Sequence, residues 1–181
     1  MTTRDMVTSF SLSESFAFLN QNLALSPPFL EEFLGLSPQD SKTLSYHKTL
    51  KYLCMFRLYT PKFIAEYDMF MGGDLSNGEP YARIMKQHTG FYYQPESHLF
   101  DLVPELYCLD YILGWMAETV MENHLVSRLG THWMFEPEAG RILKGWWAQG
   151  NQYDLPRFLA HNGLGAMSAE AMVNRWEKGL E

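Results

Sequence analysis

Tyr107-Cys-Leu-Asp-Tyr-Ile-Leu-Gly-Trp-Met-Ala-Glu118 is the stretch that decides the fold. Its two tyrosines stand four residues apart, which places them on one face of a helix about one turn apart. Gly114 and Trp115 follow, and an apolar-periodic run continues to Leu129 before Gly130. Tyrosine is an unusual choice for a helix surface. Its hydroxyl can donate toward developing negative charge or sit satisfied at the edge of a core. The same helical period recurs through the chain, and Leu, Met, Ala, Glu and Phe dominate the periodic segments. Val, Ile and Thr are sparse, and no apolar–polar alternation persists beyond a few residues. The expectation is an all-α protein, a compact bundle of about seven to nine helices. It reads as a single helical domain over residues 1–181.

Start and stop residues set the expected boundaries. Ser13 is read as the cap of a helix over Glu14–Leu25 that Pro27 and Pro28 end. A short helix, Phe29–Leu34, stops at Gly35, and Ser37-Pro-Gln-Asp40 reads as a linker. A long helix over Leu44–Met71 carries apolar residues at Leu50, Leu53, Cys54 and Leu58, with a kink or split at Pro61. Ser76-Asn-Gly-Glu79 has capping-box form and opens a helix to His88. One more turn follows over Pro95–Leu99, then the central helix Pro104–Leu129. Glu138–Gln149 follows Pro137, Asp154 caps Leu155–Asn162, and Ser168 caps Ala169–Leu180.

Composition narrows the function. The net charge is −7, the fourteen Lys and Arg are scattered, and no nucleic-acid surface is expected. Met1–Ser13 lacks a basic segment followed by an apolar block, so no signal peptide is expected. No apolar run approaches the length of a membrane span. Cys54 and Cys108 lie in apolar segments and read as buried, reduced thiols of a cytoplasmic protein.

Motifs of familiar chemistry are missing. None of the six histidines (His47, His88, His98, His124, His132, His161) forms an i, i+4 pair on a helix, and there is no His-Glu-x-x-His. They read as surface or helix-end residues. There is no Gly-x-Ser-x-Gly and no Gly-rich phosphate loop. Trp146 and Trp147, at helical spacing from Ala139 and Leu143, read as core, and the eleven methionines as packing. Glu14, near the start of an apolar helix, reads first as a glutamate favoured by the helix dipole.

Three blocks resemble zinc metallopeptidases of the thimet oligopeptidase and oligoendopeptidase F type, in their C-terminal helical portion. Glu14-Ser-Phe-Ala-Phe-Leu19 resembles the helix that supplies the third zinc ligand, a glutamate. Tyr52–Phe70 is similar to a long helix of the family. Val103-Pro-Glu-Leu-Tyr107-Cys-Leu-Asp-Tyr111-Ile-Leu-Gly-Trp115 is similar to the family's Pro…Tyr…Tyr-x-x-Gly-aromatic segment, whose tyrosines face the substrate. Trp133–Leu180 resembles the closing helices. Two features depart from the pattern. The His-Glu-x-x-His helix is absent, and the region where the family often has a histidine reads Phe100-Asp101-Leu102.

The resemblance implies a complete enzyme in which Glu14 and two histidines missing from this chain hold zinc. Tyr107 or Tyr111 would hydrogen-bond the oxyanion of a peptide substrate. The chain alone would hold no catalytic zinc, which needs about three protein ligands, and would be inactive. Self-association through an uncovered apolar face is expected. The alternative is an autonomous helical binding or scaffold module without catalysis.

Overall fold

Apolar periodicity at 3.6 residues becomes helix throughout the computed structural model, which describes residues 9–103 and 106–180. Eight α-helices occur among these residues, and no strand. They are α1 (Ser11–Ala24), α2 (Pro38–Gly72), α3 (Glu79–Thr89), α4 (His98–Asp101), α5 (Tyr107–Leu129), α6 (Pro137–Trp147), α7 (Leu155–His161) and α8 (Ala169–Lys178). A π-turn covers Phe29–Phe33, and 3-10 turns cover Pro95–Ser97 and Trp133–Phe135. The chain divides into two compact units, residues 1–49 with 113–181, and residues 50–112.

Several boundaries differ from the expected ones. Ser13 does not cap α1. The helix starts at Ser11, and the Ser13 hydroxyl donates to the Phe10 carbonyl within the first turn. Ser37-Pro-Gln-Asp40 is no linker but the start of α2. Ser37 Oγ accepts from the Asp40 amide at 3.2 Å and donates to the Asp40 carboxylate at 2.7 Å, with Pro38 at the first helical position. Pro61 does not split α2, which runs through it for 35 residues. A mid-helix proline costs about 3 kcal/mol. Burial of Pro61, Ala65 and Met69 on the same helix offsets that cost. The expected capping box at Ser76 does not form either. Asp74 accepts from the Ser76 amide and hydroxyl, Asn77 accepts from the Glu79 amide, and Gly78 precedes α3. The caps at Asp154 and Ser168 hold, each accepting from the amide three residues on. Pro104 and Glu105, the expected start of the central helix, lie outside the described residues.

The first unit has a core built by α1, α5, α6 and α7. Leu19, Met121, Leu125, Trp133, Trp146 and Phe158 are among its buried members. Ala139, Leu143 and Trp146 lie at i, i+4 and i+7 of α6, so one stripe turns inward. Trp147, one residue on, is 48 % exposed and belongs to the other face, so only one of the tandem tryptophans is core. Gly114 is where α1 meets α5. A Cβ there would stand 3.0 Å from Glu14 Cβ and 3.1 Å from the Phe18 ring.

The second unit packs Ala65 and Met69 of α2, Tyr81 and Met85 of α3, and Leu102. Its tight corner is Gly78, where an added Cβ would overlap the Pro95 carbonyl oxygen and stand 2.6 Å from His98 Nδ1. His98 is a helix-end residue as expected, but it is buried. Its ring nitrogens lie 2.7 Å from the Pro95 carbonyl and 2.9 Å from that of Leu75.

The two glycines are expected to respond differently to alanine. At Gly78 the obstacle is backbone, which cannot step aside, so Gly78→Ala is expected to cost about 3 kcal/mol. At Gly114 the neighbours are side chains, and the gain in helix propensity recovers part of the loss, leaving about 1 kcal/mol. Urea unfolding of the two variants checks the order.

Candidate functional site

The second unit holds a cluster of ionisable side chains, buried except for the half-exposed Asp101. Lys62 and Glu66 lie one turn apart on α2, in the buried stripe that also contains Ala65 and Met69. Asp101, at the end of α4, joins two helices. Its Oδ1 accepts from Lys62 Nζ at 2.9 Å, and its Oδ2 accepts from the Tyr81 hydroxyl of α3. The chain then turns extended at Leu102, and the Val103 amide donates to Glu66 Oε1 at 2.9 Å. Cys108, in the first turn of α5, is buried close enough to Glu66 for the two to shift each other's titration.

Burial and these neighbours shift Lys62, Glu66, Tyr81 and Cys108. Burial pushes the Glu66 carboxyl above the usual glutamate range, although the Val103 amide and the Lys62 charge pull against it. Burial pulls the Lys62 ammonium down, but the hydrogen bond and charge of Asp101 outweigh it, and Lys62 stays above its ordinary value. Burial, and then the Asp101 acceptor, holds the Tyr81 phenol far above its ordinary range. Cys108 is pushed up to about 12, first by burial and then by the Glu66 charge. Such a thiol stays protonated and is no nucleophile.

The sequence-derived tyrosines border this cluster. Tyr107 and Tyr111 meet edge to face with ring centroids 5.0 Å apart, as their one-turn spacing requires. Tyr59 of α2 packs tilted against Tyr111, also at 5.0 Å. Both Tyr107 and Tyr111 are half-buried. The Tyr59 phenol is raised by burial first, then by Tyr111 and Cys108. The result is a three-tyrosine ladder beside a lysine, two carboxylates and a thiol.

Glu14 belongs to the first unit. It is half-buried in the first turn of α1, with its Cβ against Gly114, while Phe18 packs on Trp115 at 5.2 Å. The same unit buries a second ionic cluster. Arg175 of α8 bonds both carboxylate oxygens of Glu118, Nη1 to Oε1 at 3.0 Å, and also reaches Glu122. Burial, and then Glu118, pushes the Glu122 carboxyl up. Burial lowers the Lys48 ammonium, with Glu122 pulling the other way.

Sequence reading missed Lys62, Glu66, Tyr81 and Asp101 because it chose another phase for α2. Leu50 and Cys54 of the expected stripe are exposed, so Cys54 is not the buried thiol expected, while Cys108 is. The overlooked signal was Lys62 and Glu66 at i, i+4 beside Ala65 and Met69. No set of three or more His, Cys, Asp or Glu side chains able to hold a metal occurs among the described residues. Nor is any helix among them long and apolar enough to cross a membrane. No family model, curated protein or solved structure matches the chain.

Glu66 gives the cluster a pH signature. A carboxyl whose value is raised by folding contributes stability that is fully present below the unfolded carboxylate range. That stability is lost as pH rises through the folded value. Glu66→Gln keeps the acceptor for Val103 and removes the ionisation. The variant is expected to melt above the parent at about pH 8, with the gap closing toward about pH 4. Thermal unfolding across that range checks it.

Proposed function

We propose that this chain is the C-terminal helical portion, or a truncated homologue, of a zinc oligopeptidase acting in the cytoplasm on peptides, and that it is inactive alone. One observation carries the reading. The two blocks of the resemblance, Glu14–Leu19 and Tyr107–Trp115, are about a hundred residues apart in sequence. Within the first unit Glu14 and Phe18 of one pack on Gly114 and Trp115 of the other. A glycine at that helix position is explained by the close approach, which supports a shared constraint rather than chance likeness.

Among the described residues no three His, Cys, Asp or Glu side chains are grouped to hold zinc, and catalytic zinc needs about three protein ligands, so Glu14 would need two more from elsewhere. The role left to the chain is on the substrate side. Tyr107 and Tyr111, held edge to face, are the donors proposed for the oxyanion of the scissile peptide. An exposed apolar stripe on α2, Ile64, Tyr67 and Met71 at i, i+3 and i+7, supports a covered face in a larger assembly or a second copy. A genomic His-Glu-x-x-His frame upstream of this sequence separates the reading from an autonomous helical binding or scaffold module.

Two outcomes follow. The purified chain, dialysed and assayed for metal and for cleavage of a fluorogenic peptide, is expected to retain no stoichiometric zinc and to hydrolyse nothing. One tightly held zinc per chain overturns the argument. In a chain joined to a catalytic half, Tyr107→Phe or Tyr111→Phe is expected to cut turnover by about 10²–10³-fold with little loss of stability. Full turnover in both variants removes the tyrosines from the mechanism.

A further inference from the structure

We infer that the second unit carries a binding site for a hydrophobic monocarboxylate, independent of the peptidase reading. The site is a cavity of about 460 Å³ between α2 and the segment that follows α3. That volume lies in the range of small-molecule pockets, about 300–1,000 Å³. Cys54, Met55 and Leu58 form the helix wall, and Phe91 and Tyr93 form the other. Apolar walls of this kind select the body of a ligand, and a single charged group fixes its orientation.

That charged group is Arg57. Its Nε donates to the His88 carbonyl at 2.7 Å, which fixes the plane of the guanidinium. No ion pair among the described residues uses Arg57. Both terminal nitrogens therefore remain to donate, and their fork matches the two oxygens of a carboxylate. A single carboxylate at the end of an apolar body satisfies wall and fork together.

The opposite wall is built before any ligand arrives. Thr89 Oγ1 donates to the Met85 carbonyl at 2.7 Å and accepts from the Phe91 amide at 3.1 Å. Gly90 takes φ 82°, a left-handed conformation that suits glycine and ends α3 there. Tyr93 is held edge to face by buried Tyr81, with centroids 5.8 Å apart. Phe91 remains 71 % exposed, an apolar ring in water that a ligand would cover. Ordering cost on binding is therefore small on this side.

Decanoate, below its micellar concentration, is the probe, and decyl alcohol the uncharged control. Calorimetric titration of the full chain is expected to show saturable binding of the acid, at least tenfold tighter than the alcohol. Arg57→Gln is expected to weaken decanoate at least tenfold while leaving the alcohol unchanged. Cys54→Trp, at an exposed position on the wall, is expected to abolish both. Circular dichroism of each variant, matching the parent, establishes that the fold is kept. Absence of saturable decanoate binding to the parent overturns the inference, and so does equal affinity of the parent and Arg57→Gln for the acid.

Discussion

Burial of charge is the constraint on which both units depend. Glu66 and Glu118 have no solvent exposure, and an uncompensated carboxylate in such a place costs several kcal/mol. Each is answered by groups brought from elsewhere in the chain. Glu118 takes both ends of the Arg175 guanidinium, so α8 has to dock on α5 in one register. Glu66 takes the Val103 amide, with Lys62 one turn away, so the segment leaving α4 has to pass over α2. Removal of either partner would leave a buried charge, which is worse than never having buried it.

The two clusters differ in what they leave available. Around Glu118 the Arg175 guanidinium spans both carboxylate oxygens and also reaches Glu122, and the arrangement is a clamp. Around Glu66, Lys62 and Tyr81 are linked through Asp101, and the titrations of Glu66, Lys62, Tyr81 and Cys108 are displaced from their ordinary ranges. The high value of the Cys108 thiol removes it as a nucleophile. Tyr59, Tyr111 and Tyr107 extend the cluster as a row of phenols.

Two blocks distant in sequence meet at a glycine, and the close approach of Glu14 and Phe18 explains why a small residue stands at Gly114. The chemistry proposed for the tyrosines depends on donors that are rigid before substrate arrives, and their edge-to-face contact provides that rigidity.

The sequence by itself determined the helical class, the positions of most helices and the caps at Asp154 and Ser168. Hydrophobic period and capping chemistry are local, written within a few residues. It also placed Tyr107 and Tyr111 on one face, since one-turn spacing is a property of the helix alone. Ser37 and Ser76 take roles other than their sequence context suggests because the same residue types serve caps, turns and linkers, and only the neighbouring backbone chooses among them. The phase of α2, the burial of Lys62 and Glu66 and the exposure of Cys54 were decided by tertiary structure. A helix with apolar residues on several sides offers more than one face to a core, and the choice falls to distant partners. Asp101, Tyr81 and Val103 make one face of α2 able to bury charge, and they lie about 15–40 residues away in sequence.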